Sequence, residues 1–246
     1  MGRTSAELKR LSREQLNGHW GFAIGVNLLS QIIISAVLMP FYLLFLFTGQ
    51  GMVQFAAYML AVVILCVISV VMQCGIVRIY LSFARKQQAS IGMMFGEFAK
   101  RPDRYIFGFM IIFGIEFLCM LPGTICLSVG IISGLMLAHV IGMVLSLGGL
   151  ALAFVVTFHL ALVFFLLVDH SDMGIMDALK ESGTLMRGRK GKLFYIYLSF
   201  LGWSLLGMLS CGLGTLWVMP YMMQTNVNFY LDVIGELDQK PEFVFS

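Results

Sequence analysis

The chain has 246 residues, of which 59% are hydrophobic and 12% charged, about half the charged share of a soluble domain. With a mean hydropathy of +0.91, this excludes a water-soluble globular domain and points to an all-α polytopic membrane bundle, a single integral membrane domain over residues 1–246. A net charge of +3 does not imply a nucleic-acid partner, because the cations cluster where membrane orientation and anionic headgroups call for them.

The first cluster is Arg3, Lys9, Arg10 and Arg13. It lies on an amphipathic segment, AELKRLSREQL, which offers Leu8, Leu11 and Leu16 opposite a basic face and is expected to rest on the inner interface. No cleavable signal peptide is expected, since the apolar run behind it is span-length. His19 and Trp20 belong at the inner interface, Trp20 as an aromatic-belt residue.

Residues 20–77 carry no formal charge and divide into spans 20–47 and 52–77 at the polar turn Thr48–Gly51. Counted from Asn17 at about 1.5 Å per residue, Asn27 and Gln31 lie roughly 15 and 21 Å deep.

The second cluster is Arg78, Arg85, Lys86, Lys100, Arg101 and Arg104. Within it, SIGMMFGEF sets Ile91, Met94, Phe95 and Phe98 on one helical face behind Ser90 as expected N-cap.

Residues 105–168 hold one formal charge, Glu116. The stretch is too long for a tight hairpin and too short for four spans of about 20 residues, so spans 105–135 and 140–168 are expected. Pro122-Gly123 should break or kink the outgoing helix, leaving residues 123–140 either as an extension beyond the outer leaflet or as a re-entrant piece. Glu116 lies roughly 18 Å from Arg104, and His159 roughly 15 Å from Asp169, at a rise of about 1.5 Å. His139 falls near the outer turn, and His170 beside Asp169 makes no metal pair because adjacent helical residues diverge.

The third cluster is Lys180, Arg187, Arg189, Lys190 and Lys192. It follows the amphipathic segment SDMGIMDALKESGTLM with Ile175, Met176, Leu179 and Met186, and its GRKGK run reads as a headgroup anchor. Spans 193–210 and 214–234 follow, divided at Cys211–Gly214. An offset of 170 pairs Glu7 with Asp177, Arg10 with Lys180, Ser12 with Ser182, Gly18 with Gly188 and Gly21 with Gly191. Three units, 1–80, 81–168 and 169–246, each an interfacial helix plus a membrane hairpin, would account for this echo.

All three basic clusters are expected inside, which puts both termini in the cytoplasm and gives about six transmembrane helices. The residues assigned to headgroups and interface are Arg10, Arg13, Trp20, Arg101, Arg104, Arg187, Arg189, Lys190 and Lys192. Glu116, His159, Asn27 and Gln31 share one depth. They would form an intramembrane polar site with Glu116 as proton or cation acceptor, unless Glu116 is a neutral packing residue.

No metal or cofactor is expected. Cys66, Cys74, Cys119, Cys126 and Cys211 form no C-x-x-C pair, and no protease, hydrolase or nucleotide-binding motif is present. The chain therefore reads as a non-enzymatic accessory or scaffold protein that binds membrane lipid, another membrane protein or a second copy of itself. The alternative is a small proton- or cation-coupled transporter or channel using the Glu116 layer.

Residues 167–233 carry Asp169, Ala178-Leu179, Ser182, Met186, Gly188, LSFLGW (Leu198–Trp203), LWVMPY (Leu216–Tyr221) and Phe229-Tyr230. Together with LNGHWG (Leu16–Gly21) and Pro122-Gly123, this pattern resembles a family of bacterial multi-pass membrane proteins, mostly from Firmicutes, catalogued as a domain of unknown function. The apolar stretch between Pro122-Gly123 and Asp169 is longer than in that pattern. The resemblance implies about six spans in a bacterial inner membrane and no established activity.

Overall fold

The structure, a computed structural model, describes residues 2–47 and 51–238. Among the described residues ten α-helices follow one another: α1 (Ser5–Leu16), α2 (Trp20–Phe47), α3 (Met52–Ala84), α4 (Gly92–Ala99), α5 (Pro102–Ser133), α6 (Met136–His159), α7 (Val163–Asp169), α8 (Ile175–Leu185), α9 (Lys190–Leu209) and α10 (Thr215–Val233). Among the described residues there is no strand. Five helical runs among the described residues are long and apolar enough to cross a membrane: α2, α3, α5, α6 continued through α7, and α9. The stretch expected as a sixth span, 214–234, holds the helix α10. Its second half is polar, with Gln224, Thr225 and Asn228 buried against protein, and α10 is not among those five runs.

The chain forms two compact units, one of residues up to Tyr105 and from Lys192 onward, the other of Ile106–Gly191. In the first unit, α1 begins with a capping box. The Glu7 N–H donates to Thr4 Oγ1 and the Thr4 N–H donates to Glu7 Oε2 at 2.7 Å, meeting two donors left open by the helix start. Its apolar stripe is covered by protein, with Leu8 and Leu16 fully buried where α1 packs on α10 and α3. The turn between α2 and α3, at Thr48, Gly49 and Gln50, lies outside the described residues.

α3 continues through Arg78 to Ala84 because Ile76, Val77 and the run Ile79 to Phe83 are buried among neighbouring helices. α4 lies across α3 at Gly75, where any side chain would strike the Met94 backbone. Met94 enters the protein, while Ile91, Phe95 and Phe98 stay exposed, the arrangement expected of a half-embedded helix. Ser90 does not cap this helix with its side chain; its carbonyl accepts from the Met93 N–H at 3.1 Å, and Ile91 takes the N-cap position.

In the second unit α5 runs unbroken through Pro122 to Ser133. The chain reverses at Gly134, whose φ of +68° suits glycine. The long middle stretch is therefore two long helices. Gly123 and Gly130 on α5 and Gly142 and Gly149 on α6 form a seam in which a Cβ would meet the opposite backbone or side chain. Close approach of this kind is how helices associate in lipid, where apolar burial between them gains little. α6 ends at His159, and the chain resumes as α7 after Leu160–Leu162.

One packing relation recurs. α4 packs on α3, α8 on α7, and α1 on α10, so each short amphipathic helix leans on a second hairpin helix. The 170-residue echo also has geometric counterparts. α1 starts at Ser5 and α8 at Ile175; Gly18 and Gly188 have φ of +82° and +73°; and α2 and α9 start at Trp20 and Lys190. Ser12 and Ser182 are both fully buried. Ser12 Oγ accepts from Asn228 Nδ2 at 2.9 Å. Ser182 Oγ accepts from the Leu162 N–H at 3.3 Å and donates to the His159 carbonyl at 3.1 Å, bracing the α6–α7 elbow.

Candidate functional site

The four polar residues expected to share one layer occur in separate local settings. Asn27 Nδ2 donates to Tyr80 Oη and to the Ala23 carbonyl, both at 2.7 Å, tying α2 to α3. Gln31 is exposed on α2. Glu116 lies on the α5–α6 seam, seven residues before Gly123, and accepts from Thr157 Oγ1 at 2.7 Å. The His159 ring packs on Gly183 of α8. Glu116 is thus joined to a hydroxyl on the facing helix.

The cations assigned to the interface also separate. Arg10 pairs with Glu14 at 3.5 Å on the open face of α1, and Arg101 lies 3.8 Å from Asp103, both largely exposed. Exposed pairs of this kind contribute little. Arg187 and Arg189 are exposed near the end of α8, where Arg189 Nη1 donates to the Leu185 carbonyl at 3.3 Å. Lys190 opens α9 half-buried. Arg104 is buried and stacks over the Tyr105 ring.

Lys192 is part of a buried clasp. Its Nζ lies 2.6 Å from Asp232 Oδ2, whose partner oxygen accepts the Arg3 backbone N–H at 2.8 Å. Asp232 thereby joins the start of the chain, the foot of α9 and the end of α10. Glu97 anchors a second buried network, accepting from Arg78, from Lys100 at 2.9 Å and from Tyr105 Oη at 2.6 Å. Burial opposes ionisation of Glu97, but Tyr105, Lys100 and Arg78 outweigh it and hold the carboxyl below its ordinary value. Neither carboxylate stands out in the sequence: Glu97 sits just before Lys100 and Arg101, and Asp232 lies at the end of the last apolar stretch with no basic residue beside it.

A groove of about 380 Å³ lies in the first unit, lined by Lys9, Arg13, Trp20, Trp203, Trp217, Val218 and Tyr221. The volume lies within the range of small-molecule sites. All three tryptophans of the chain are here. Trp20 meets Tyr221 edge-on at 6.5 Å, and Phe200 meets Tyr221 edge-on at 4.9 Å. Lys9 Nζ stands 4.4 Å from the Phe200 ring centre and the Arg13 guanidinium 6.0 Å from that of Tyr221.

Burial and the neighbouring Arg13 charge pull the Lys9 ammonium below the ordinary lysine value. Of these residues Lys9, Arg13 and Trp20 were expected at an interface, and the rest were not. The missed signal is that LNGHWG, LSFLGW and LWVMPY each end in or contain a wall residue of one groove.

Long apolar helices, seams of small residues and basic segments at the helix feet define an α-helical, membrane-type protein. Within that class, the chain matches the family described as Protein of unknown function (DUF975) over residues 1–236, and it belongs to that family. No curated protein and no solved structure matches it.

Proposed function

We propose that this protein is a non-enzymatic, lipid-binding accessory protein of the bacterial cytoplasmic membrane, with its basic segments and both termini inside. The observation that carries the reading is the convergence of Trp20, Trp203, Trp217 and Tyr221 with Lys9 and Arg13 around one groove. Aromatic rings with an apolar body and a polar edge suit the boundary between acyl chains and headgroups. A protein partner would need about 800 Å² of surface on each side, whereas a groove of about 380 Å³ suits one headgroup with its glycerol and upper acyl segments.

Native mass spectrometry of the detergent-purified chain tests this. One phospholipid per chain should persist at collision energies that strip bulk detergent, and Trp203→Ala with Trp217→Ala should abolish it. A wild-type chain that carries no lipid under those conditions, or a double variant that retains it, sinks the reading.

A further inference from the structure

We propose that the occupant of the groove is an anionic phospholipid, its phosphate held between Lys9 and Arg13 and its acyl chains laid along Trp203 and Trp217. This rests on the lipid-binding reading above and specifies its chemistry. Lys9 and Arg13 are one helical turn apart on α1 and both line the groove.

Among the described residues neither has a carboxylate partner. The ion pairs of the first unit go instead to Arg10, Arg78, Arg85, Lys100, Arg101 and Lys192. Both unpaired cations rest on aromatic faces, Phe200 and Tyr221, which orient them without neutralising them. Two like charges this close, one of them partly buried, repel each other, and a phosphate between them relieves that repulsion. Trp203 and Trp217, each more than half exposed, supply the apolar end. The groove is thus polarised from paired cations to indole rings, as an anionic lipid is from phosphate to chain.

α1 holds the two cations in place from its other side. Its buried face is pinned to α10 by Ser12 and Gln15, which accept from Asn228 Nδ2 at 2.9 and 2.8 Å. The Asp232 clasp fixes its N-terminal approach through the Arg3 N–H. Lys9 and Arg13 therefore project from a held helix, and little ordering remains to be done on binding.

The chain's tryptophans all line this groove, so their fluorescence reports on it. Delipidated protein in detergent is titrated with phosphatidylglycerol or phosphatidylcholine carrying brominated acyl chains, and quenching is followed. Phosphatidylglycerol is expected to bind about 10- to 30-fold more tightly, on the order of the attraction of two cations near an anionic surface. Lys9→Gln with Arg13→Gln should bring that ratio to near 1 without weakening phosphatidylcholine. Lys9→Arg with Arg13→Lys should preserve it, and so should Arg10→Gln, since Arg10 pairs with Glu14 and does not line the groove.

Free glycerol phosphate at millimolar concentration separates headgroup from lipid: it should compete only weakly, because it lacks the chains that meet the indoles. Equal affinity for the two lipids, or a preference that survives loss of both cations in a chain whose helicity and elution are unchanged, overturns the anionic assignment while lipid binding stands. Full competition by glycerol phosphate overturns the role given to the acyl chains. Absence of quenching by either lipid overturns this proposal together with the reading beneath it.

Discussion

Thr157 Oγ1 on α6 stands 2.7 Å from Glu116 Oε1 on α5 and 2.9 Å from the Ala153 carbonyl oxygen, with one proton to give. A glutamine at 116 keeps a group that can bond the hydroxyl, so Glu116→Gln should change unfolding in detergent by less than about 1 kcal/mol, the scale of a polar contact between membrane helices. Thr157→Val removes the partner and should cost about as much as that contact contributes. Proteoliposomes loaded with a pH-sensitive dye should show the same slow proton leak for wild type and Glu116→Gln. A large loss of pH-driven flux in the variant would restore Glu116 as a conducting residue.

Two adjacent glycines test the α5–α6 seam. A side chain at Gly149 would strike the Cys119 carbonyl, whereas one at Gly148 meets nothing within 4 Å. Gly149→Ala should destabilise by about 1 to 3 kcal/mol, the usual cost of overpacking, and Gly148→Ala should be neutral or slightly stabilising. Thermal unfolding of the two variants side by side separates them.

Glu97 gives the first unit an acid-sensitive contact. Its folded pKa is lowered from 4.5, so the unfolded chain takes up the proton first. The contribution is complete at neutral pH and is lost as pH falls below about 4.5 through the folded value. Glu97→Gln should flatten that acid limb. At pH 7 it should cost about 1 to 3 kcal/mol, less than breaking a fully enclosed pair, because Arg78 and Lys100 retain solvent access. Denaturant unfolding of both proteins between pH 3 and pH 7, on the order of the carboxyl range, reads this directly.

The Asp232 clasp should hold α1 down. Asp232→Ala leaves the Lys192 ammonium and the Arg3 N–H without their acceptor, and amide exchange in Ser5–Leu16 should accelerate by more than tenfold, about 1.4 kcal/mol. Exchange in α5 and α6 should not change. Uniform acceleration across both units would show that the residue acts on global stability instead.

Orientation can be checked with fusions truncated after Arg104 and after Lys192. Both junctions follow basic clusters, so a fluorescent protein should light up at each and a periplasmic phosphatase should stay inactive.

Much of the helical layout was written in the charges. Lipid-embedded segments cannot carry unpaired ions cheaply, and so the ends of charge-free stretches fall close to helix ends, as at Trp20, Pro102, Asp169, Lys190 and Val233. What faces each amphipathic stripe was not legible. Leu8 and Leu16 satisfy the same pattern against acyl chains as against a neighbouring helix, and only the placement of α10 shows that protein covers them. Pro122-Gly123 misled for a related reason. Gly123 serves close approach to Ser146, so this Pro-Gly pair sits inside a helix instead of ending it. The groove escaped because its walls lie on α1, α2, α9 and α10, with more than two hundred residues between Lys9 and Tyr221.

The docking of α1 on α10 has a consequence for biosynthesis. The ribosome delivers α1 first and the helix that receives it last among the ten. Until Thr215–Val233 has emerged, Leu8 and Leu16 lack the α10 surface that completes their cover and have only α3 to lean on, so the nascent amphipathic segment is left partly uncovered. A chain whose translation stops early would keep that segment displayed, giving quality-control proteases a mark by which unfinished copies differ from complete ones.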